Sequence, residues 1–503
     1  MIQSISLIRT NHIDKHFSIM KNNSHDFKVI AQIVSNKLGN YIDESQKGKL
    51  KTLVQRPAED LAKDLQLENW IKNGGLNATS VIGFLDTYLE NTQHLHHPHY
   101  IGHQVAVPHV ATGIADFIHG TINNPMAIYE MGPAAAAIEK ILVNWMLEKV
   151  GWFQGSHLGD FGKIDGNGGG VLTHGGSLAN LTALCAARAK IAPDAWTKGT
   201  PNDLVILASE EAHYSIARTI SIMGMGKDAI IPVAVDDLKV MKPDALLPTY
   251  QKVKAQGKRV MAVVANACAT ATGLYDPLDE IGVFCEEHNL WFHVDGAHGA
   301  SALLSIKEKH LLKGVERADS IIWDAHKMMR TSALCAAVLF KDHRMMEGAF
   351  QQKGSYLFHE KEEVGFDLLP YAVECTKAAL GTKLFWVLAA EGEKGLETYI
   401  ENTYQNTRSF YDIINEHSDF DCPYFPESNI LCFRYTKFGS DNDFQLTLRN
   451  QIIERGNFYI TSTEFNDVRY LRITVMNDLT KAAHIMGLIN EIIEVAHIIK
   501  SSK

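Results

Sequence analysis

A chain of 503 residues, 46% hydrophobic and 21% charged, has the apolar content for a large core and more than one domain. Its net charge of −10 and pI near 6.1 argue against nucleic acid or an anionic membrane as a partner. Seven cysteines, an odd number with no CxxC pair, suit a reducing cytoplasm, and no apolar run approaches the length of a membrane helix.

The N-terminal run MIQSISLIRTNHIDKHF meets charge early and has no long apolar core, so it does not read as a signal peptide. Apolar residues three and four apart predict helices over Phe27 to Tyr41 and Val81 to Leu89. A histidine cluster follows (His94, His96, His97, His99, His103); it crosses Pro98 and lacks the fixed spacing of a metal site, so no metal is expected. From Ala127 to about Phe340, short apolar runs alternate with helical stretches, the pattern of a mostly parallel sheet covered on both faces.

Four turns in that region carry chemistry. VLTHGGSLANLTALCAARAK runs from an apolar stretch into Gly175, Gly176 and Ser177 and then into a helix. Glycines let the backbone approach a phosphate, and the helix N-terminus offers free N–H groups. This is neither a GxGxxG nor a Walker fingerprint. His213 follows the apolar run Leu204 to Ala208 and opens a new helical pattern, where an imidazole can stack on a ring or hydrogen-bond a carboxylate. Leu290 to Val294 breaks at Asp295, followed by small residues among which Ala297 offers a flat apolar contact. Ile321 to Trp323 leads through Asp324, Ala325 and His326 to Lys327. A lysine and an aspartate at one crevice are what pyridoxal phosphate requires: an amine for its aldehyde and a carboxylate for its pyridine nitrogen. His326 can donate to the phosphate. Each feature alone is commonplace, since Asp-Gly makes turns, serines cap helices and most lysines are solvated.

After Thr382 the pattern gives a helix, strand candidates over Asn429 to Tyr435 and Tyr470 to Val475, and an amphipathic helix from Thr480 to Lys500, a small α+β domain.

The motifs HHPHYIGHQ, THGGSLAN, EEAHYS, HVDGAH and DAHK, in this order, resemble those of the group II pyridoxal-phosphate-dependent amino-acid decarboxylases of fold-type I. NNPMAIYEMGPAAAAIEKIL and WDAHKMM are similar to segments of the branch with glutamate, cysteine-sulfinate and diaminobutyrate decarboxylases. The resemblance implies an α/β fold with a seven-stranded-type, mostly parallel sheet in a large cofactor domain, 96–381. It also implies an N-terminal helical segment, 1–95, a small C-terminal domain, 382–503, and a homodimer with active sites at the subunit interface. Pyridoxal phosphate is expected on Gly175, Gly176, Ser177, His213, Thr270, Asp295, Ala297, His326 and Lys327. Lys327, His213 and the loop tyrosine Tyr356 are the expected catalytic residues, and His99, His103 and Gln104 the substrate wall.

Departures fall at Cys268, Ala269 and Thr270, where the family reads Gly-Thr-Thr, at Ala325 in place of proline, and at Lys377, the nearest cation to a usual arginine pair. The implied reaction is α-decarboxylation of an L-amino acid to the amine. An acidic substrate fits the branch, and a diamino acid fits acidic residues such as Glu130. A pyridoxal enzyme of another reaction type (carbon–carbon lyase, aminotransferase, amine oxidising) and a catalytically silent relative stay open as alternatives.

Overall fold

The computed structural model describes residues 20–152, 167–350, 365–439 and 441–501. They form two compact units, one of residues 1–100 with 451–459 and the other of residues 101–450 with 460–503.

In the first unit lie the helices α1 (Ser24–Gln46), α2 (Ala58–Asp64), α3 (Leu67–Asn73) and α4 (Ser80–Glu90). Asn23 caps α1 by accepting from the His25 and Asp26 N–H groups, the arrangement that satisfies orphan donors at a helix start. Most of the histidine cluster is here, and backbone holds it. His94 bonds the Leu89 carbonyl (2.9 Å), while His99 bonds the Asn457 carbonyl (3.0 Å) and stacks on Phe458 (4.0 Å).

The second unit opens with α5 (Val110–Ile122) and α6 (Pro133–Val150), followed by β1 (Gly169–Thr173) and α7 (Gly176–Ile191). The chain continues through α8 (Ala195–Lys198), β2 (Leu204–Ser209), α9 (Tyr214–Ile222), β3 (Ile230–Val233), α10 (Leu246–Ala255), β4 (Arg259–Asn266) and α11 (Leu278–His288). Next are β5 (Trp291–Asp295), β6 (Ser320–Asp324) and β7 (Ala336–Phe340). These strands form one seven-stranded sheet in the order β1-β7-β6-β5-β4-β2-β3. The four pairings from β6 to β3 are parallel, and β7 runs antiparallel to both its neighbours. Strands β2, β5, β6 and β7 are buried at every position, as a sheet covered on both faces requires. The parallel strands bring Asn266, Asp295 and Asp324 out at one sheet end, because register pairs Asn266 with Asp295 and places β6 beside β5.

The small domain contains α12 (Leu380–Asn415), β8 (Phe420–Asp421), β9 (Ile430–Tyr435), α13 (Asn442–Arg455), β10 (Thr461–Phe465), β11 (Val468–Thr474) and α14 (Ala482–Ser501). Its four strands pair antiparallel in the order β10-β11-β9-β8. Helix α12 is broken at Gly392, which takes φ 67°, ψ 178°. The expected boundary at 381–382 falls within α12, inside one compact unit. Helix α14 corrects one expectation: by length and composition it could cross a bilayer. In this fold one face of it packs on α12, burying Ile485, Leu488, Ile492, Val495 and Ala496. A single buried face explains both its apolar content and its amphipathic pattern.

Candidate active site

A cavity of about 300 Å³ opens at the strand ends, a size typical of small-molecule sites. The turn from β1 into α7, the start of α9, and the ends of β4, β5 and β6 contribute its walls. Of the residues expected from sequence, Gly175, Gly176, Ser177, His213, Thr270, Asp295, Ala297, His326 and Lys327 all line it. His99, His103, Gln104 and Glu130 do not; Glu130 is exposed in a short 3-10 turn. Tyr356 lies outside the described residues.

At the phosphate end, Gly175 takes φ +104° and precedes α7, which has no side-chain cap. The N–H groups of Leu178 and Ala179 return to the Gly175 carbonyl, leaving those of Gly176 and Ser177 for an anion. A Cβ on Gly176 would sit 2.9 Å from Asp324 Oδ2, so any larger residue there would push on that carboxylate. His326 turns its Nδ1 to the Cys335 carbonyl at 2.9 Å.

At the other end, the Asp295 carboxylate is 7% exposed and accepts from Asn180 Nδ2 (3.0 Å) and the Ala297 N–H (3.3 Å). Lys327 Nζ lies 3.3 Å from Asp324 Oδ2, while Asp324 Oδ1 is buried without a hydrogen-bond partner. Burial pushes the His213 imidazole below its ordinary pKa, Asp295 opposes that shift and Lys327 reinforces it. His298, also on the wall, is held by Asn429 (2.7 Å), and burial drives its pKa to about 3, so it stays neutral.

These groups fit pyridoxal phosphate. An uncapped helix start with a glycine cradle suits its phosphate, Lys327 its aldehyde, Asp295 its pyridine nitrogen, and an orphaned carboxylate oxygen marks where a polar group is missing. When bound, the cofactor supplies an electron sink for the pair left as the α-carboxylate departs. The chain's own residues would hold both cofactor ends, with Gly176 and Ser177 at the phosphate and Asp295 at the ring nitrogen, and His213 lines the same cavity.

Sequence reading passed over Asn180, Ser215, Asn266 and His298, which share the lining. Asn180 carried a signal, as one amide within the alanine- and leucine-rich face of α7, all of it buried. Arg472 was also missed. It is an arginine inside the apolar strand β11, and its Nη2 donates to the carbonyl of the cavity residue Thr270 at 2.8 Å. Lys377 is not a substrate cation: its ammonium is buried against Glu139 at 2.5 Å.

Fold and site together define a fold-type I pyridoxal-phosphate enzyme. The profile of the pyridoxal-dependent decarboxylase conserved domain matches residues 79–436, and the chain belongs to this family as a pyridoxal-dependent amino-acid decarboxylase. It is 30% identical over 390 residues to the human (Homo sapiens) acidic amino acid decarboxylase GADL1, covering 76% of this chain and 72% of the relative. The crystal structure of mouse CSAD superposes with a TM-score of 0.85 at 25% identity, covering 94% of this chain and 99% of that one. The glutamate decarboxylase domain of the diaminobutyrate-pyruvate transaminase and L-2,4-diaminobutyrate decarboxylase from Vibrio parahaemolyticus gives 0.82 at 23% identity, covering 95% and 96%. This last likeness is one of fold.

Proposed function

We propose that this chain decarboxylates an acidic L-amino acid, releasing carbon dioxide and the corresponding amine. The observation that carries the reading is Arg472, 5% exposed and without a carboxylate partner among the described residues. Its neighbours are the Thr270 carbonyl, the Thr461 hydroxyl (3.3 Å) and the Gly102 carbonyl (3.5 Å), and its Nε has no partner. A buried, uncompensated guanidinium is costly, and burial pulls its pKa down. Its charge also lowers the pKa of His298 on the cavity wall and of His103, so its field reaches the substrate space. A distal carboxylate or sulfinate supplies the missing anion with matching fork geometry, whereas a diamino acid would set an ammonium against it. The similarity to GADL1, an acidic amino acid decarboxylase, supports this choice.

The test is carbon dioxide release by the pyridoxal-loaded protein from glutamate, aspartate, cysteine sulfinate, 2,4-diaminobutyrate and aromatic L-amino acids, with Lys327→Ala as blank. Release is expected from an acidic substrate, and Arg472→Gln should lower its kcat/KM on the order of 100-fold. Release from the diamino or aromatic acids alone refutes the reading.

The protein also works as a homodimer in this proposal. Val110, Ile114, Phe117, Ile118 and Ile122 form an exposed apolar stripe along α5, the kind of surface a second copy covers. Sedimentation at a single subunit mass would refute the dimer. All seven cysteines are free thiols, five of them buried, which supports a reducing, cytoplasmic setting; export of the tagged protein from its cells would argue against that.

A further inference from the structure

Behind the cavity runs a chain of hydrogen bonds whose direction is fixed by the Asp295 carboxylate. Trp291 Nε1, which can only donate, is 2.9 Å from Ser320 Oγ. With its oxygen accepting from the indole, the Ser320 hydroxyl gives its proton to His293 Nδ1 at 2.8 Å. His293 is fully buried, and burial lowers its pKa to about 4, so the ring is neutral with its proton on Nε2. Nε2 donates to Asn180 Oδ1 at 2.9 Å. That leaves the Asn180 amide nitrogen to donate twice, to Asp295 Oδ2 (3.0 Å) and to Ser215 Oγ (2.9 Å). The acceptor carboxylate at one end demands this amide orientation, and the donor indole at the other is consistent with it. Ser215, already accepting from Asn180, turns its own proton to His213 Nδ1 at 2.8 Å, and its backbone N–H reaches the same nitrogen at 3.3 Å.

We propose that Asn180 and Ser215 are the positioning residues of this site: one amide orients the Asp295 carboxylate and, through the Ser215 hydroxyl, fixes His213 with its proton on Nε2. Both functional groups are thereby set by a single buried fork, backed through His293 and Ser320 by the Trp291 indole at the start of β5. His213 Nδ1 is committed as an acceptor, and Nε2 is the nitrogen that donates to substrate. The same fork makes the two groups interdependent, because any change that turns the Asn180 amide reaches Asp295 and His213 at once.

The inference rests on His213 and Asp295 serving a pyridoxal decarboxylase, not on which amino acid is consumed, and its first readout needs no substrate. Histidine is labelled with ¹⁵N in the holoenzyme, two-bond proton–nitrogen correlations are recorded above the imidazole titration range, and His213 is assigned by difference from His213→Gln. The expected wild-type pattern is a proton-bearing Nε2 with a pyridine-type Nδ1. Ser215→Ala leaves Nδ1 only the longer backbone N–H contact, so it should admit a measurable share of the second tautomer and lower kcat about tenfold, the worth of one hydrogen bond, with KM and cofactor affinity unmoved. Ser215→Thr should restore the pattern. Asn180→Ala should lose the tautomer and also weaken cofactor binding, read by titration of the visible band. A proton on Nδ1 in the wild type, or a His213 pattern unmoved by Ser215→Ala and Asn180→Ala, overturns the proposal. A failure of decarboxylation with an intact pattern would overturn the substrate reading instead.

Discussion

Replacing Lys377 with methionine tests whether the edge of the large sheet is held by a buried ion pair. Its ammonium side chain is 2% exposed and that of Glu139 is 0% exposed, with Nζ and Oε1 2.5 Å apart. Between them they take both backbone groups of Leu172: Glu139 Oε1 accepts its N–H at 2.9 Å, and Lys377 Nζ donates to its carbonyl at 2.6 Å. Leu172 lies on β1, the edge strand, so the pair stands where a further strand would. Methionine keeps the volume but leaves a lone carboxylate in the interior and an unmet carbonyl. The first of these costs about 3–5 kcal/mol. A unit of about 400 residues has an unfolding entropy of roughly 0.8 kcal/mol per kelvin, so a loss of about 4 kcal/mol lowers the midpoint by about 5 °C. Differential scanning calorimetry of the wild type, Lys377→Met and the double variant Lys377→Met with Glu139→Gln reads this directly. The double variant should regain more than half of the loss, because the stranded charge is gone. An unshifted single variant, or a double variant less stable than the single, would refute the reasoning.

Three further outcomes follow from the geometry. Gly176→Ala pushes a methyl against the Asp324 carboxylate, 2.9 and 3.1 Å away, and overpacking of that kind should weaken pyridoxal phosphate binding about tenfold in an absorbance titration. Gly273→Ala meets a positive φ of +76° and atoms of Ser428 and Ile430 at 2.4 and 2.7 Å, so loss of soluble protein or an unfolding free energy lower by more than about 2 kcal/mol is expected. Because burial lowers the His213 pKa, the ring gains its proton only below the ordinary value of 6.5; the acid limb of kcat that tracks His213 should therefore fall below that pH, and an inflection above it in the pH–rate profile would contradict the environment described.

Eight of the nine cofactor-lining positions were legible because each follows a strand-like apolar run, and in a parallel sheet the ends of such runs converge; Thr270 came from the family resemblance alone. Asn180, Ser215 and Arg472 were not, for a common reason. Their significance lies in partners 35, 115 and 202 residues away along the chain, for Asn180 with Ser215, Asn180 with Asp295, and Arg472 with Thr270. Strand β10 was also unread, since TSTEF has a partly polar face, and its pairing with β11 makes it a strand. Lys377 shows the converse. Its position suggested a substrate contact, and only packing against Glu139 reveals a structural clamp.

By itself, then, the sequence pointed to the cofactor, because local periodicity marks where strands end and a lysine and an aspartate stand there, while the reaction family came from the resemblance of its ordered motifs to the group II decarboxylases. Tertiary structure alone decided which buried polar groups face one another: the fork from Asn180 to Asp295 and Ser215, and the unpaired guanidinium beside Thr270. Hydrogen bonds and desolvation depend on distances of a few ångströms between distant segments, and no local pattern encodes those distances.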